Sequence, residues 1–163
     1  MDDNNINNNM GLKNSKQDKE KYLNAEEIKF IGEYKAYVFD CYDGDTFTCS
    51  IKYKDIYIKL RTRLNGCDAF EIRVPKTYKE RPIKNREELI KKGIDARDRL
   101  NDLIKGKYIT LECNETDKYG RLLASIIEIE GKKINVSEIM INEGHAFVYD
   151  GTGEKEQCSY YVI

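Results

Sequence analysis

Phe47-Thr48-Cys49-Ser50-Ile51-Lys52-Tyr53, followed after Lys54-Asp55 by Ile56-Tyr57-Ile58-Lys59-Leu60-Arg61, is the stretch that decides the fold. In the first run Phe47, Cys49, Ile51 and Tyr53 alternate with polar residues, and in the second Ile56, Ile58 and Leu60 do the same. A period of two belongs to a strand with one face in a core and the other in water. The runs therefore read as antiparallel neighbours with a turn at Lys54-Asp55. Upstream, Tyr37-Val38-Phe39 supplies a third strand of the meander. Its link to the second is Asp43-Gly44-Asp45, where the glycine is expected to supply a positive φ.

Downstream, residues 72 to 84 hold both prolines, Pro75 and Pro82, together with Arg73, Lys76, Lys79, Arg81 and Lys84, and read as an exposed basic loop. A helix is predicted from about Arg86 to Lys105, with Leu89, Ile90, Ile94, Arg97, Leu100, Leu103 and Ile104 on one face and Gly106 as its stop. Two more strands follow, around Lys107 to Cys113 and Arg121 to Glu130, joined through Asp117 to Gly120. After a turn at Glu130-Gly131-Lys132-Lys133 comes a second helix. Asn135 caps it with Glu138 three residues on, Val136, Ile139 and Met140 face inward, and Gly144 ends it. The order β-β-β-α-β-β-α predicts an α+β fold built on a five-stranded closed barrel of the oligonucleotide-binding (OB) type.

Length and composition bound the rest. The 163 residues suit one domain with floppy ends. Residues 1 to 22, rich in Asn, Asp and Lys, read as a disordered tail; 23 to 150 form the folded domain; 151 to 163 form a short tail that frays. No apolar run is long enough to cross a membrane, and the start lacks a secretory signal, so an intracellular protein is expected. The five cysteines are widely spaced and suit reduced core residues better than a metal knuckle. With one histidine, His145, two-histidine zinc sites and serine-histidine-aspartate triads find little support. The net charge is -1, but residues 72 to 107 carry 12 Lys or Arg against 6 Asp or Glu. That is enough for a locally basic face, though a solvated helix would show the same count.

Three further stretches carry chemistry: Asp43-Gly44-Asp45-Thr46, Arg63 through Glu71, and Asp117-Lys118-Tyr119-Gly120-Arg121. Their carboxylates suit a hard cation such as Ca²⁺, which takes about 6 to 8 oxygen ligands. Guanidinium groups match a phosphate with a planar fork and stay charged at any working pH. A glutamate of ordinary pKa, about 4.3, is ionised at neutral pH and can take a proton from water. Singly, each residue has a plainer reading as a turn residue, surface ion pair or loop acid. Together they are the inventory of phosphodiester hydrolysis.

In type, order and spacing these stretches resemble the staphylococcal nuclease (thermonuclease) family, from about Tyr34 to Tyr149, and Asn142-Glu143-Gly144-His145-Ala146-Phe147-Val148-Tyr149 resembles that family's close of the second helix. The resemblance implies that Asp45, Asp68 and the backbone carbonyl of Ala69 bind Ca²⁺, with Asp43 just outside the ligand set. It implies that Arg63 and Arg121 hold the scissile phosphate and that Glu71 activates water. Tyr119, Lys118 and Tyr149 would contact the nucleotide. Three departures stand out. Ala69-Phe70 replaces the family's Thr-Pro, removing the rigidity of a proline beside Glu71. The segment between Glu71 and Gly93 is about ten residues longer than in the bacterial prototype, and the prototype's third helix is expected to be missing.

The function expected from the resemblance is a Ca²⁺-dependent endonuclease acting on DNA and RNA with little sequence preference, breaking the 5′-oxygen–phosphorus bond and leaving 3′-phosphates. The alternative is a non-catalytic module of the same fold that binds nucleic acid or protein. DNA and RNA are the expected partners, no membrane is involved, and a monomer is the expectation.

Overall fold

The computed structural model describes residues 16–25 and 27–162. Five strands close the barrel: β1 (Gly32–Cys41), β2 (Thr46–Tyr53), β3 (Ile56–Leu64), β7 (Tyr108–Thr116) and β8 (Leu122–Ile129). The order is β3-β2-β1-β7-β8, antiparallel throughout, and a parallel β3–β8 pairing joins the two edges. The OB-type barrel with helices is thus present. The alternation read from the sequence is the reason: Phe47, Cys49 and Ile51 of β2 point inward to meet Val38, Leu111, Ala124 and Ile126. Ile56 and Tyr57, by contrast, stay exposed, because β3 is fully buried only from Thr62 onward, with Leu60 partly packed on the core before it.

The remaining strands are short. β4 (Cys67–Ala69) pairs with β10 (Ala146–Val148), β5 (Thr77–Tyr78) pairs with β6 (Arg81–Pro82), and β9 (Lys132–Lys133) extends the sheet beyond β8. The expected basic loop therefore contains a small hairpin, turned by Lys79 and Glu80 at positive φ.

Helix α2 (Arg86–Ile104) buries Leu89, Gly93, Ala96, Leu100 and Ile104, of which Ala96, Leu100 and Ile104 pack into the barrel core. This face is rotated from the expected one, and Ile94 is 37% exposed. The small residues Gly93 and Ala96 let the backbone of α2 come close to the chain beneath, so the buried stripe runs through them rather than through the larger Ile94. Helix α3 (Val136–Asn142) is capped as expected, with Asn135 Oδ1 accepting from the Glu138 N–H at 3.1 Å.

Gly44 also differs from expectation. It is absent from the positive-φ positions, and a Cβ there would lie 2.6 Å from Ala69 Cβ and 2.7 Å from Ala96 Cβ. Space, rather than handedness, requires the glycine.

Both ends of the chain depart from the tail reading. Residues 1–15 lie outside the described residues, but Lys16–Leu23 forms helix α1, whose Lys, Gln, Glu and Leu residues favour local helical hydrogen bonds without needing a core. At the other end a 3₁₀ helix, Glu156–Val162, folds back instead of fraying. Its Tyr161 joins Phe70, Val74, Ile83 and Leu89 in a second, smaller core. Apolar residues of the long 72–84 segment and of the C-terminus cover each other over Phe70 and Leu89. No helix among the described residues is long and apolar enough to cross a membrane. All five cysteines are free, and four of them are buried.

Candidate active site

Barrel closure builds the site. Antiparallel pairing sets Thr46 opposite Arg63, and the parallel β3–β8 pairing sets Arg63 beside Leu123, close to Arg121 at the head of β8. Arg121 Nη1 consequently donates to Thr46 Oγ1 at 3.1 Å, although the two are 75 positions apart. Arg121 Nε donates to Asp117 Oδ2 at 2.8 Å. Asp117 in turn accepts from the N–H groups of Tyr119 and Arg121, each at 2.9 Å, which fixes the turn. Partial burial pushes the Asp117 carboxyl up, but the hydrogen bonds from Arg121 and Tyr119 outweigh it and hold its pKa below the ordinary value.

Arg63 lies deeper. Its Nη1 donates to Asp45 Oδ1 at 2.8 Å, and its Nη2 donates to Asp68 Oδ1 at 2.8 Å and to the Cys67 carbonyl at 3.3 Å. It thus bridges the two carboxylates expected to hold a metal. Asp45 also accepts from Thr46 Oγ1 and, on Oδ2, from the Ala69 N–H at 3.0 Å. Asp43 Oδ1 accepts from the Asp45 N–H at 3.1 Å. Burial, and then the neighbouring charges of Asp45 and Glu71, push the Asp43 carboxyl up to about 7.

Glu71 leaves β4 just beyond Phe70. Its position depends on Gly93 of α2, where a Cβ would come within 2.5 Å of the Glu71 carbonyl oxygen. Phe70 is buried, its ring 4.9 Å from that of Phe147 and 5.5 Å from that of Tyr160. Edge-to-face aromatic packing therefore holds the chain at the place where the family has a proline.

Arg63, Glu71, Arg121, Tyr119, Tyr149 and Lys155 line one cleft of about 870 Å³. Asp43, Lys118 and Asp117 line it too, whereas Asp45, Asp68 and Ala69 lie behind its wall. Tyr119 is 72% exposed, with Lys118 Nζ 5.2 Å and the Arg121 guanidinium 5.5 Å from its ring centre. The sequence reading missed Arg61, whose guanidinium lies 4.4 Å from the ring of Tyr42 at the cleft rim. Its place on an outward-facing strand position gave no signal of its own.

Lys155 and Gln157 were missed as well, because they lie in the stretch read as a fraying tail. Lys155 Nζ is 2.6 Å from Asp68 Oδ1 and 3.3 Å from Glu71 Oε1. Gln157 donates through Nε2 to Asp68 Oδ2 and accepts the Glu71 N–H at 3.3 Å. Burial works against the Lys155 charge, but the hydrogen bond and charge of Asp68, with the charge of Glu71, hold its pKa above the ordinary lysine value.

Asp45, Asp68 and the Ala69 carbonyl are the right kind of donor for calcium, but in this arrangement each carboxylate oxygen already has a protein partner that an ion would have to displace. Arg63 and Lys155 take Asp68 Oδ1, Gln157 takes Oδ2, and Arg63, Thr46 and the Ala69 N–H take both oxygens of Asp45. Among the described residues, no group of three or more His, Cys, Asp or Glu side chains is placed to hold a metal.

Comparison with known proteins agrees with the fold. The chain is 34% identical over 108 residues to an uncharacterized endonuclease of Escherichia coli O157:H7, and equally to one of Escherichia coli, covering 66% of this chain and 56% of theirs. It is also 27% identical over 153 residues to the trigger factor of Bartonella quintana, covering 83% of this chain and 32% of that protein. The chain thus spans about half, or less, of the length of these curated relatives. A family model, staphylococcal nuclease homologue, matches residues 61–161, which hold Arg63, Glu71, Arg121 and most of the C-terminal 3₁₀ helix. The chain belongs to the staphylococcal nuclease homologue family.

Proposed function

We propose that this chain is a nuclease that hydrolyses phosphodiester bonds of DNA and RNA with little sequence preference, breaking the 5′-oxygen–phosphorus bond and leaving a 3′-phosphate. The convergence of Arg63, Glu71 and Arg121 on one cleft is the observation that carries this reading. A phosphodiester bound there would meet Arg121 first. Two of its five N–H donors are engaged by Asp117 and Thr46, which aim the fork and leave the outer face for a phosphate oxygen. Arg63 has three donors engaged and two left beneath the same position.

Glu71 takes a proton from the attacking water, and the extra negative charge of the five-coordinate phosphorus is met by the two guanidinium groups. The leaving 5′-oxygen takes a proton from solvent in the half-open cleft. Tyr119, Lys118 and Tyr149 border the flanking nucleotides, where tyrosine rings offer stacking faces to any base, consistent with low sequence preference. The calcium requirement implied by the family is part of this proposal, with Asp45, Asp68 and the Ala69 carbonyl as the residues assigned to the ion.

Purified protein incubated with single-stranded DNA, in parallel with calcium, chelator and magnesium, tests the reading. Calcium-dependent cleavage with 3′-phosphate ends is expected. Cleavage in chelator would keep the nuclease and remove the ion. Saturation of Asp68 by protein donors favours one other reading, a binding module of the same fold. Retained DNA binding without cleavage under every condition would select it.

A further inference from the structure

Asp68 is 0% exposed, and its carboxylate still carries a full complement of partners. A buried carboxylate kept ionised without a counter-charge costs several kcal/mol, so a cation beside it stabilises the charged form. A divalent ion would do this, but so does the chain itself. Arg63, from the barrel, approaches Asp68 Oδ1 from one side, and Lys155, from the C-terminal segment, approaches it from the other while also facing Glu71 Oε1.

Lys155 is held there by its neighbours on both sides. Before it, Glu154 accepts from Tyr78 OH of the 72–84 hairpin and pairs with Lys79 at 3.1 Å. After it, Gln157 is 1% exposed and tied to both Asp68 and the Glu71 backbone. Further on, the Tyr160 carbonyl accepts from Asn85 Nδ2 at 3.1 Å, and the Tyr161 ring packs 5.3 Å from that of Tyr78. The long segment after Glu71 and the C-terminal segment thus form one clamp, and the clamp delivers an ammonium group to Glu71 in the cleft and to Asp68 behind its wall.

We propose that Lys155 is the resident cation of the Asp68–Glu71 site, so that a hard divalent ion binds these carboxylates only by displacing it. The importance of this for catalysis rests on the phosphodiesterase reading above, but the competition itself does not. Replacing Lys155 by a neutral side chain leaves Asp68 and Glu71 with one positive charge fewer, and an incoming cation no longer has to break two ion pairs.

Calcium titration by calorimetry, with tyrosine-sensitised terbium luminescence as a second readout, tests the proposal on the wild-type chain, Lys155→Gln, Lys155→Met and Lys132→Gln. Lys132 lies on β9, at the far end of β8 from Arg121, where solvent and salt screen its charge from the site. Both Lys155 variants should bind calcium on the order of tenfold more tightly than the wild type and Lys132→Gln, as expected for loss of a close like charge. Equal affinity in all four proteins, or no binding by any, overturns the proposal. Melting curves check that the variants fold. In the wild-type protein, the ¹⁵N resonance of the Lys155 ammonium should shift at saturating calcium, and an unmoved resonance would also overturn it. Turnover on single-stranded DNA in the same samples separates the two readings: tighter calcium binding without cleavage would sink the nuclease and leave Lys155 in place.

Discussion

Arg121 differs from most surface arginines in what already surrounds it. Asp117 and Thr46 fix its plane, so its remaining donors are aimed before any phosphate arrives. Arg121→Ala should lower turnover about 100- to 1,000-fold, the usual scale for losing one aimed donor, while the fold survives with a modest fall in melting temperature from the lost Asp117 pair. Arg121→Lys should recover little, since an ammonium cannot hold both Asp117 and a phosphate in a planar fork. Near-normal turnover in either variant would remove the phosphate assignment. Asp117 gives the same turn a pH signature. Its folded pKa lies below the unfolded one, so its stabilisation is present above about pH 4 and is lost as pH falls through the folded value. Asp117→Asn should therefore flatten the acid limb of a stability-against-pH curve below about pH 4 and leave its slope at neutral pH unchanged. Gly93 sets two effects in opposition. Alanine favours the helix by about 1 kcal/mol, yet its Cβ would sit 2.5 Å from the carbonyl oxygen of Glu71. Backbone has no flexible end to yield, so the clash should win: Gly93→Ala is expected to lower turnover more than tenfold by moving Glu71, with little gain or a loss in melting temperature.

Among the elements, the hairpin β5–β6 and the C-terminal 3₁₀ helix exist because each covers the other. Ile83 and Tyr161 belong to one small core with Phe70 and Leu89, apart from the barrel interior. Tyr161→Ala should cost about 3 kcal/mol and Ile83→Ala about 2 to 4 kcal/mol, values usual for buried aromatic and aliphatic truncations. Because both variants open the same cluster, the double mutant should cost less than the sum, with a coupling of about 1 kcal/mol measurable by denaturant titration. Full additivity would mean that the two segments fold independently. The same pairing accounts for the tolerance of Phe70 where the family has proline. A ring locked between Phe147 and Tyr160 does by packing what proline does by covalent restriction.

Across the whole molecule, the cleft borders a basic segment whose charges are not equivalent. Lys79 is already paired with Glu154, whereas Lys76, Arg81 and Lys84 are exposed and have no acidic partner among the described residues. Changing those three to Ser should weaken single-stranded DNA binding and reduce its log–log salt slope by roughly 0.7 for each phosphate that is no longer neutralised, and Lys79→Ser should change the slope little. A slope unmoved by the triple change would place the segment off the substrate path. The barrel was legible in the chain alone, because alternation in β2, the Asn135 cap and the glycine stops are local patterns that one physical rule reads at a time. Residue type and order also marked Asp43, Asp45, Arg63, Asp68, Glu71 and Arg121 as a set. What that set touches emerges only on folding. The parallel closure of β3 on β8 puts Arg63 and Arg121 in one cleft, Gly44 and Gly93 are small because other chain segments press on them, and Lys155 reaches Asp68 across the whole fold. Those contacts join residues far apart in the chain, and the energy of a buried charge depends on everything that surrounds it, so no local reading of the C-terminal stretch could have shown that its lysine faces the acids of the site.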